Sequence, residues 1–340
     1  MKLNDRKMKI LEAIVMDYIA TAEPIGSRTI AKKYDLGISS ATIRNEMSDL
    51  EDMGLIIQPH TSSGRVPSDS GYRLYVDSLM QQRPLTDDET MFLQQMIMDN
   101  IHHVDYLMQE TAKAIAAMTR YATVVSEPRD KKTKIKQIQL MPMDEHSIVL
   151  IWVTDTKAVK NQIIFIQDPP DCDTLAMLSK VLNVHLQNQS VDKINKQTIS
   201  DLMKEFGEHT NLLMSVLGVL ADGVKNQVYT SGVNNFLTFP EFSDPSKVQA
   251  VFHALEEREM LITLFGREPS DGIQVIIGTE NHVESLKNCS IIRASYSVGD
   301  GSAGCIGIIG PTRMDYAQSI SVMQGIVLNI NKVLEALTGG

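Results

Sequence analysis

The stretch SSATIRNEMSDLEDMGLI, residues 39–56, brings Thr42, Arg44 and Asn45 within one turn of any helix it forms. These side chains have the chemistry of base recognition. Arginine donates two parallel hydrogen bonds to guanine, asparagine donates to and accepts from adenine, and the threonine methyl can meet the thymine methyl. On a helical wheel Ile43, Met47 and Leu50 fall on one side. Ala41, Asn45, Ser48 and Asp52 fall opposite, flanked by Thr42, Arg44 and Asp49. Asp49, Glu51 and Asp52 crowd the far end, where phosphate would repel them. A helix that enters a major groove end-on needs this gradient, because its first turns and the positive end of its dipole meet the nucleic acid.

The flanking sequence supplies elements to hold such a helix. Met8, Leu11, Ile14, Val15, Tyr18 and Ile19 form a helical stripe that ends before Pro24. A second short helix is expected after Ser27, the candidate cap, with Ile30, Ala31 and Tyr34 inward and Gly37 as its breaker. Ser39 or Ser40 caps the third helix, and Gly54 stops it. LIIQPHTSSGRVP then reads as strand, loop, strand. Three helices and a two-stranded ribbon, in that order, make a winged helix-turn-helix. Arg28, Lys32 and Lys33, with Ser39 and Ser40, are the candidate phosphate contacts. His60, Ser62, Ser63 and Arg65 are the candidate wing contacts, on a loop that Gly64 is expected to keep flexible. Such heads also serve as protein-binding modules, so these residues alone leave both DNA binding and an adaptor role open.

The charge of the whole chain, −10, argues against non-specific attraction to nucleic acid. Its distribution is more informative. Residues 1–75 hold ten basic and ten acidic side chains, so the entire excess lies in the remaining 265 residues. Three widely spaced cysteines, Cys172, Cys289 and Cys305, fit reduced thiols in a cytoplasm and no disulfide framework. No signal-peptide pattern opens the sequence, and the longest apolar runs, such as IVLIWV at 148–153, are too short to span a bilayer.

Beyond a boundary near 81–88, a methionine-rich helical pattern runs from about 89 to 120 and reads as packing surface. Strand-like runs fill 123–166, and helices are expected near 172–188, 197–229 and 244–265. Strand-like runs return at GIQVIIG, CSIIRASYSV and GCIGIIGP before a last amphipathic helix. Sheet, helices and sheet again imply one α+β domain interrupted by a mainly helical insert.

Other sites carry less. The glycine-dense 297–311 lacks phosphate-loop spacing and leads from strand to strand, as tight turns do. His102 and His103 are adjacent, so on a helix they diverge, and no third metal ligand is in register. Cys305 sits among apolar residues as an inert core thiol. No nucleophile–base, paired-carboxylate or metal constellation marks an enzyme, and no cofactor is expected.

PIGSRTIAKKYDLGISSATIRNEMSDLEDMGLI, HTSSGRVPSDSGYRLYVDSL and, near the end, IGPTRMDYAQSISVM closely resemble the bacterial heat-inducible transcription repressor family HrcA. The resemblance implies a homodimeric, cytoplasmic repressor that binds an inverted-repeat operator upstream of chaperone operons and is kept active by the chaperonin. It implies a winged-helix head at 1–80, a GAF-like domain at 81–170 and 269–340, and a dimerising insert at 171–268. GAF-like domains often bind small molecules, so gating by such a ligand is the alternative reading.

Overall fold

The computed structural model of the protein describes residues 3–60, 64–99, 104–128, 134–155, 159–190, 194–224, 227–265, 272–297 and 303–338. Helix α1 spans Asp5–Thr21; the Asn4 side chain caps it by accepting from the Lys7 amide at 2.9 Å. Helix α2, Ser27–Lys33, starts from Gly26, so Ser27 is its first residue and not its cap. The backbone of Ile25 pairs with that of Arg65 in both directions, at 2.9 Å, which holds the chain extended up to this point. Helix α3, Ser40–Asp52, is capped by Ser39, and Gly54 follows its end in the left-handed region at φ 72°. Strands β1 (Ile56–Ile57) and β2 (Val66–Pro67) form an antiparallel ribbon two residues long. The stripes Ile10, Leu11, Ile14 and Ile43, Met47, Leu50 meet Ile30 in one buried core.

Helix α4, Asp69–Leu74, runs on into a π-helical turn at Tyr75–Leu79. The expected long helix is two helices, α5 (Asp87–Asp99) and α6 (Val104–Thr119), followed by strand β3, Ala122–Ser126.

The next segment forms its own compact unit, Arg129–Gln227. Strands β4 (Ile135–Asp144), β5 (Ser147–Thr154) and β6 (Val159–Phe165) make a three-stranded antiparallel sheet. Helices α7 (Cys172–Leu186), α8 (Lys196–Phe206) and α9 (Thr210–Val224) follow. Alternation along β5 sends Ile148, Leu150 and Trp152 into a core with Leu178, Leu182 and Leu213. Helix α7 also satisfies the backbone of β4. Asn183 accepts from Ile138 N and donates to Ile138 O at 2.8 and 2.7 Å, while Ser179 accepts from Leu140 N at 2.9 Å.

The chain then rejoins the first unit, which comprises Met1–Pro128 and Val228–Gly340. Strand β7 (Val228–Ser231), helices α10 (Pro245–Glu256) and α11 (Arg258–Phe265), strands β8 (Ile273–Ile277), β9 (Cys289–Ser297) and β10 (Ala303–Pro311), and helix α12 (Tyr316–Thr338) complete it. The antiparallel sheet runs β7-β3-β10-β9-β8. Val125, Ile292, Ile306 and Ile308 join the core shared with α6 and α12. Val124, Ile291, Cys305 and Ile309 join the core shared with α10 and α11.

The mixed α and β class agrees with the sequence reading. The compact unit is 129–227, in place of the expected 171–268, and it carries a sheet beside its helices. Alternating apolar residues identify a strand and its buried face but not its partners, and the runs between 135 and 165 pair with one another. The end of the expected helix 197–229 is β7, paired with β3 in the other unit's sheet. Burial pushes the thiols of Cys289 and Cys305 up to about 12 and keeps them protonated.

Trp152, the only tryptophan in the sequence, lies in the core of the insert and reports on its unfolding. Leu182 is fully buried there, so Leu182→Ala should destabilise this unit by about 2–5 kcal/mol. Urea unfolding followed by Trp152 fluorescence measures the loss.

Candidate nucleic-acid interface

Helices α2 and α3 pack together and leave one polar face outward. Arg28, Lys32 and Lys33 of α2 are exposed, as are Ala41, Arg44, Asn45 and Ser48 of α3. Thr29 is exposed beside Arg28, a polar residue that the sequence reading passed over. Thr42 is half-buried and takes part in the cap. The Ser39 hydroxyl accepts from Thr42 N at 3.2 Å and lies 3.0 Å from the Thr42 hydroxyl. Ser39 is thus engaged at the helix start, with half-buried Ser40 next to it as the first helical residue.

The carboxylates of α3 do not simply face solvent. Glu46 receives Lys7 at 2.6 Å and Arg6 at 3.5 Å, and Asp49 receives Lys7 at 2.9 Å. Hydrogen bonds to Glu46 and then Asp49 raise the Lys7 ammonium above its ordinary range. Glu51 takes Arg65 at 2.7 and 2.9 Å. Asp52 is exposed and makes no ion pair among the described residues. Charges spaced along a single helix suggest solvation; these partners come from α1 and from the end of the ribbon, a pairing that periodicity cannot show.

Two candidate contacts are thereby engaged within the protein. Arg65 braces Glu51 by its side chain and Ile25 by its backbone, at the start of β2. Gly64 beside it serves close approach and not flexibility, because a Cβ there would lie 2.5 Å from the Ile25 carbonyl. Lys33 Nζ meets a carboxylate oxygen of buried Asp17 at 2.5 Å, and the Tyr34 hydroxyl donates to the same oxygen at 2.8 Å. Burial and this hydrogen bond raise the Tyr34 hydroxyl well above its usual range. Arg28, Lys32 and Arg44, by contrast, make no ion pair among the described residues. His60 is exposed, whereas Ser62 and Ser63 lie outside the described residues, as do His102 and His103.

Among the described residues no group of three or more histidine, cysteine, aspartate or glutamate side chains could hold a metal, and no helix is long and apolar enough to cross a membrane.

The family model described as the HrcA protein C terminal domain matches residues 105–320. The heat-inducible transcription repressor HrcA of Lachnoclostridium phytofermentans is 42% identical, covering 98% of this chain and 99% of its own. The chain belongs to the HrcA family. A second HrcA, from Clostridium botulinum strain Alaska E43, is also 42% identical and covers 98% of both chains. Membership sets the chain among transcription repressors and not among enzymes. One crystal structure of a hypothetical protein shares the fold, with a TM-score of 0.65 at 22% identity over 98% of this chain and 99% of that one. The HrcA likeness thus covers the residues of α2 and α3 as well as those of both sheets.

Lys33→Ala would leave buried Asp17 with only the Tyr34 hydroxyl. Because the lysine side chain is itself 56% exposed, the cost should be about 1–2 kcal/mol. Lys32→Ala, which removes no ion pair among the described residues, should stay within about 0.5 kcal/mol. Thermal unfolding of the two variants distinguishes these roles.

Proposed function

We propose that this chain is a sequence-specific, DNA-binding repressor of chaperone operons that acts as a homodimer on an inverted repeat and is modulated by the chaperonin. In this reading residues 1–80 form a winged helix-turn-helix, α3 is the recognition helix, and the five-stranded sheet with its helices is the GAF-like domain. A cytoplasmic location follows from that role. The observation that carries the proposal is the outward face of α2 and α3. Arg28, Lys32, Arg44, Asn45 and Ser48 stand exposed on it, while Glu46, Asp49 and Glu51 are already paired. Arg44, Asn45, Ala41 and Ser48 read bases and Arg28, Lys32 and Ser40 grip phosphate, with Thr42 and Ser39 contributing from within the cap they form together. Lys33 and Arg65 assist only insofar as their internal partners release them, and His60, Ser62 and Ser63 belong to the wing.

A dimer is supported by the outer face of the three-stranded sheet. Met141, Val149 and Ile163 lie side by side in register, as do Val153 and Val159, and Phe165 is 82% exposed. An apolar sheet face of this kind is what a second copy would cover. The dimerising segment is accordingly 129–227. Residues 228–265 supply β7, Phe236, Phe242 and Leu255 to the other unit.

Selection from a pool of randomised duplexes, followed by gel shifts over a range of salt, tests DNA recognition. Asn45→Ala should cost about 1–3 kcal/mol and relax preference at one base pair per half-site. Lys32→Ala should weaken every sequence alike and reduce the salt slope by about one. No enrichment at low salt by a folded protein would favour the protein-binding adaptor instead. Phe165→Asp should raise the dimer dissociation constant about tenfold or more, measured by sedimentation, and weaken binding to the paired repeat. An unchanged dimer would remove that face from the interface.

A further inference from the structure

Helix α4 joins the three-helix head to the five-stranded sheet, and two of its side chains cross that junction. The Asp69 carboxylate accepts from both the amide and the hydroxyl of Thr279, each at 2.8 Å. One turn later Arg73 forms a two-pronged pair with Glu280, at 2.9 and 2.5 Å, and donates to the Val275 carbonyl at 2.6 Å. Glu280 is fixed in turn by the Ile277 amide at 2.8 Å. The receiving turn is shaped for this contact. Gly278 adopts φ 52°, and a Cβ there would lie 2.3 Å from the Asp69 carboxylate. Burial opposes the charge on Glu280, yet the hydrogen bonds from Arg73 and Ile277 hold its carboxyl below the ordinary range.

The apolar contact beneath is less directional. The Tyr72 and Tyr316 rings lie 5.9 Å apart and tilted, and the head and sheet share one continuous hydrophobic core. Apolar surfaces hold elements together but tolerate sliding, whereas a planar, two-pronged arginine–carboxylate pair fixes an angle. Two residues beyond Arg73 the helix passes into the π-helical turn at Tyr75, an irregularity close to the junction.

We propose that Asp69 and Arg73, acting on Thr279 and Glu280, are positioning residues that fix the angle at which α3 is presented. In a dimer they thereby set the operator spacing that the two heads can engage. This rests on the DNA-binding reading above. Neither residue touches DNA; both act through the orientation of the head. Successive base pairs turn by about one-tenth of the helix, so a fixed head angle converts into selectivity for spacer length.

The test compares wild type with the near-isosteric Asp69→Asn/Glu280→Gln double variant. Both are titrated against a single selected half-site and against inverted repeats whose spacer changes in one-base-pair steps. The variant should bind the single half-site within about twofold of wild type while its best-to-worst ratio across spacers falls at least about threefold. Undiminished spacer selectivity in the folded variant overturns the proposal. A wild type that binds no half-site overturns the DNA reading itself. Amide exchange gives a readout without DNA. The Thr279 and Ile277 amides should exchange at least about tenfold faster in the variant, with α3 amides unchanged. Equal exchange in the two proteins also sinks the proposal.

Discussion

An acidic helix can approach a polyanion only if its carboxylates are neutralised from within the protein, and the arrangement of the head follows from that constraint. Of the acidic residues on α3, Glu46 and Asp49 share Lys7, and Glu51 holds Arg65. The same pairs tie the helix to its surroundings. Lys7 comes from α1, so neutralisation also fixes the angle between α1 and α3. Arg65 comes from the ribbon, whose start is simultaneously clipped to Ile25. An exposed ion pair contributes little stability alone. Here each pair also offsets a negative charge that would repel an approaching phosphate.

The division of labour among the basic residues has the same origin. Lys32 and Lys33 are neighbours in sequence, yet about 100° apart on α2. One projects freely, and the other reaches Asp17, whose carboxylate is almost wholly enclosed. A buried carboxylate without a counterion is costly, so Lys33 is held by the fold before any ligand arrives. Ser39 is held similarly by the opening of α3. Among the described residues, those that remain unengaged on the outward face are Arg28, Lys32, Arg44, Asn45 and Ser48, a smaller and better defined set than composition alone suggests.

Much of this was legible in the sequence wherever structure is local. The inward stripe of α3, its serine cap and its glycine stop depend on residues within one or two turns, and they stand where periodicity and capping chemistry put them. What stayed hidden depends on residues far apart in the chain. Alternation marked β4, β5 and β6 as strands, but nothing in 135–165 says that they pair together and not with β3, which precedes them. The boundary of the insert was misplaced for that reason. Lys7 meeting Glu46 spans 39 positions, and Arg73 meeting Glu280 spans 207. Such pairs are products of topology. The motif SDSGYRLYVD was evident as a sequence, yet Asp69 and Arg73 acquire a physical meaning only against β8 and the turn after it, and Tyr72 only against Tyr316 at the start of α12.

The charge of the chain then becomes intelligible. With ten basic and ten acidic residues in the first 75, the head carries no net attraction for DNA, and the other 265 residues carry the full −10. A basic stripe on one face of a neutral head attracts phosphate only at short range, within about 8 Å at physiological salt. The acidic remainder opposes random association at longer range. Binding must therefore come from close, directional contacts, and in the dimer proposed above these are made twice over, the second head engaging at a high effective concentration once the first is seated. That benefit disappears if the two heads cannot reach both half-sites together. A dimer that relies so little on general electrostatic attraction gains from a controlled head angle, and the Asp69–Thr279 and Arg73–Glu280 bonds are the directional contacts that the junction offers for it.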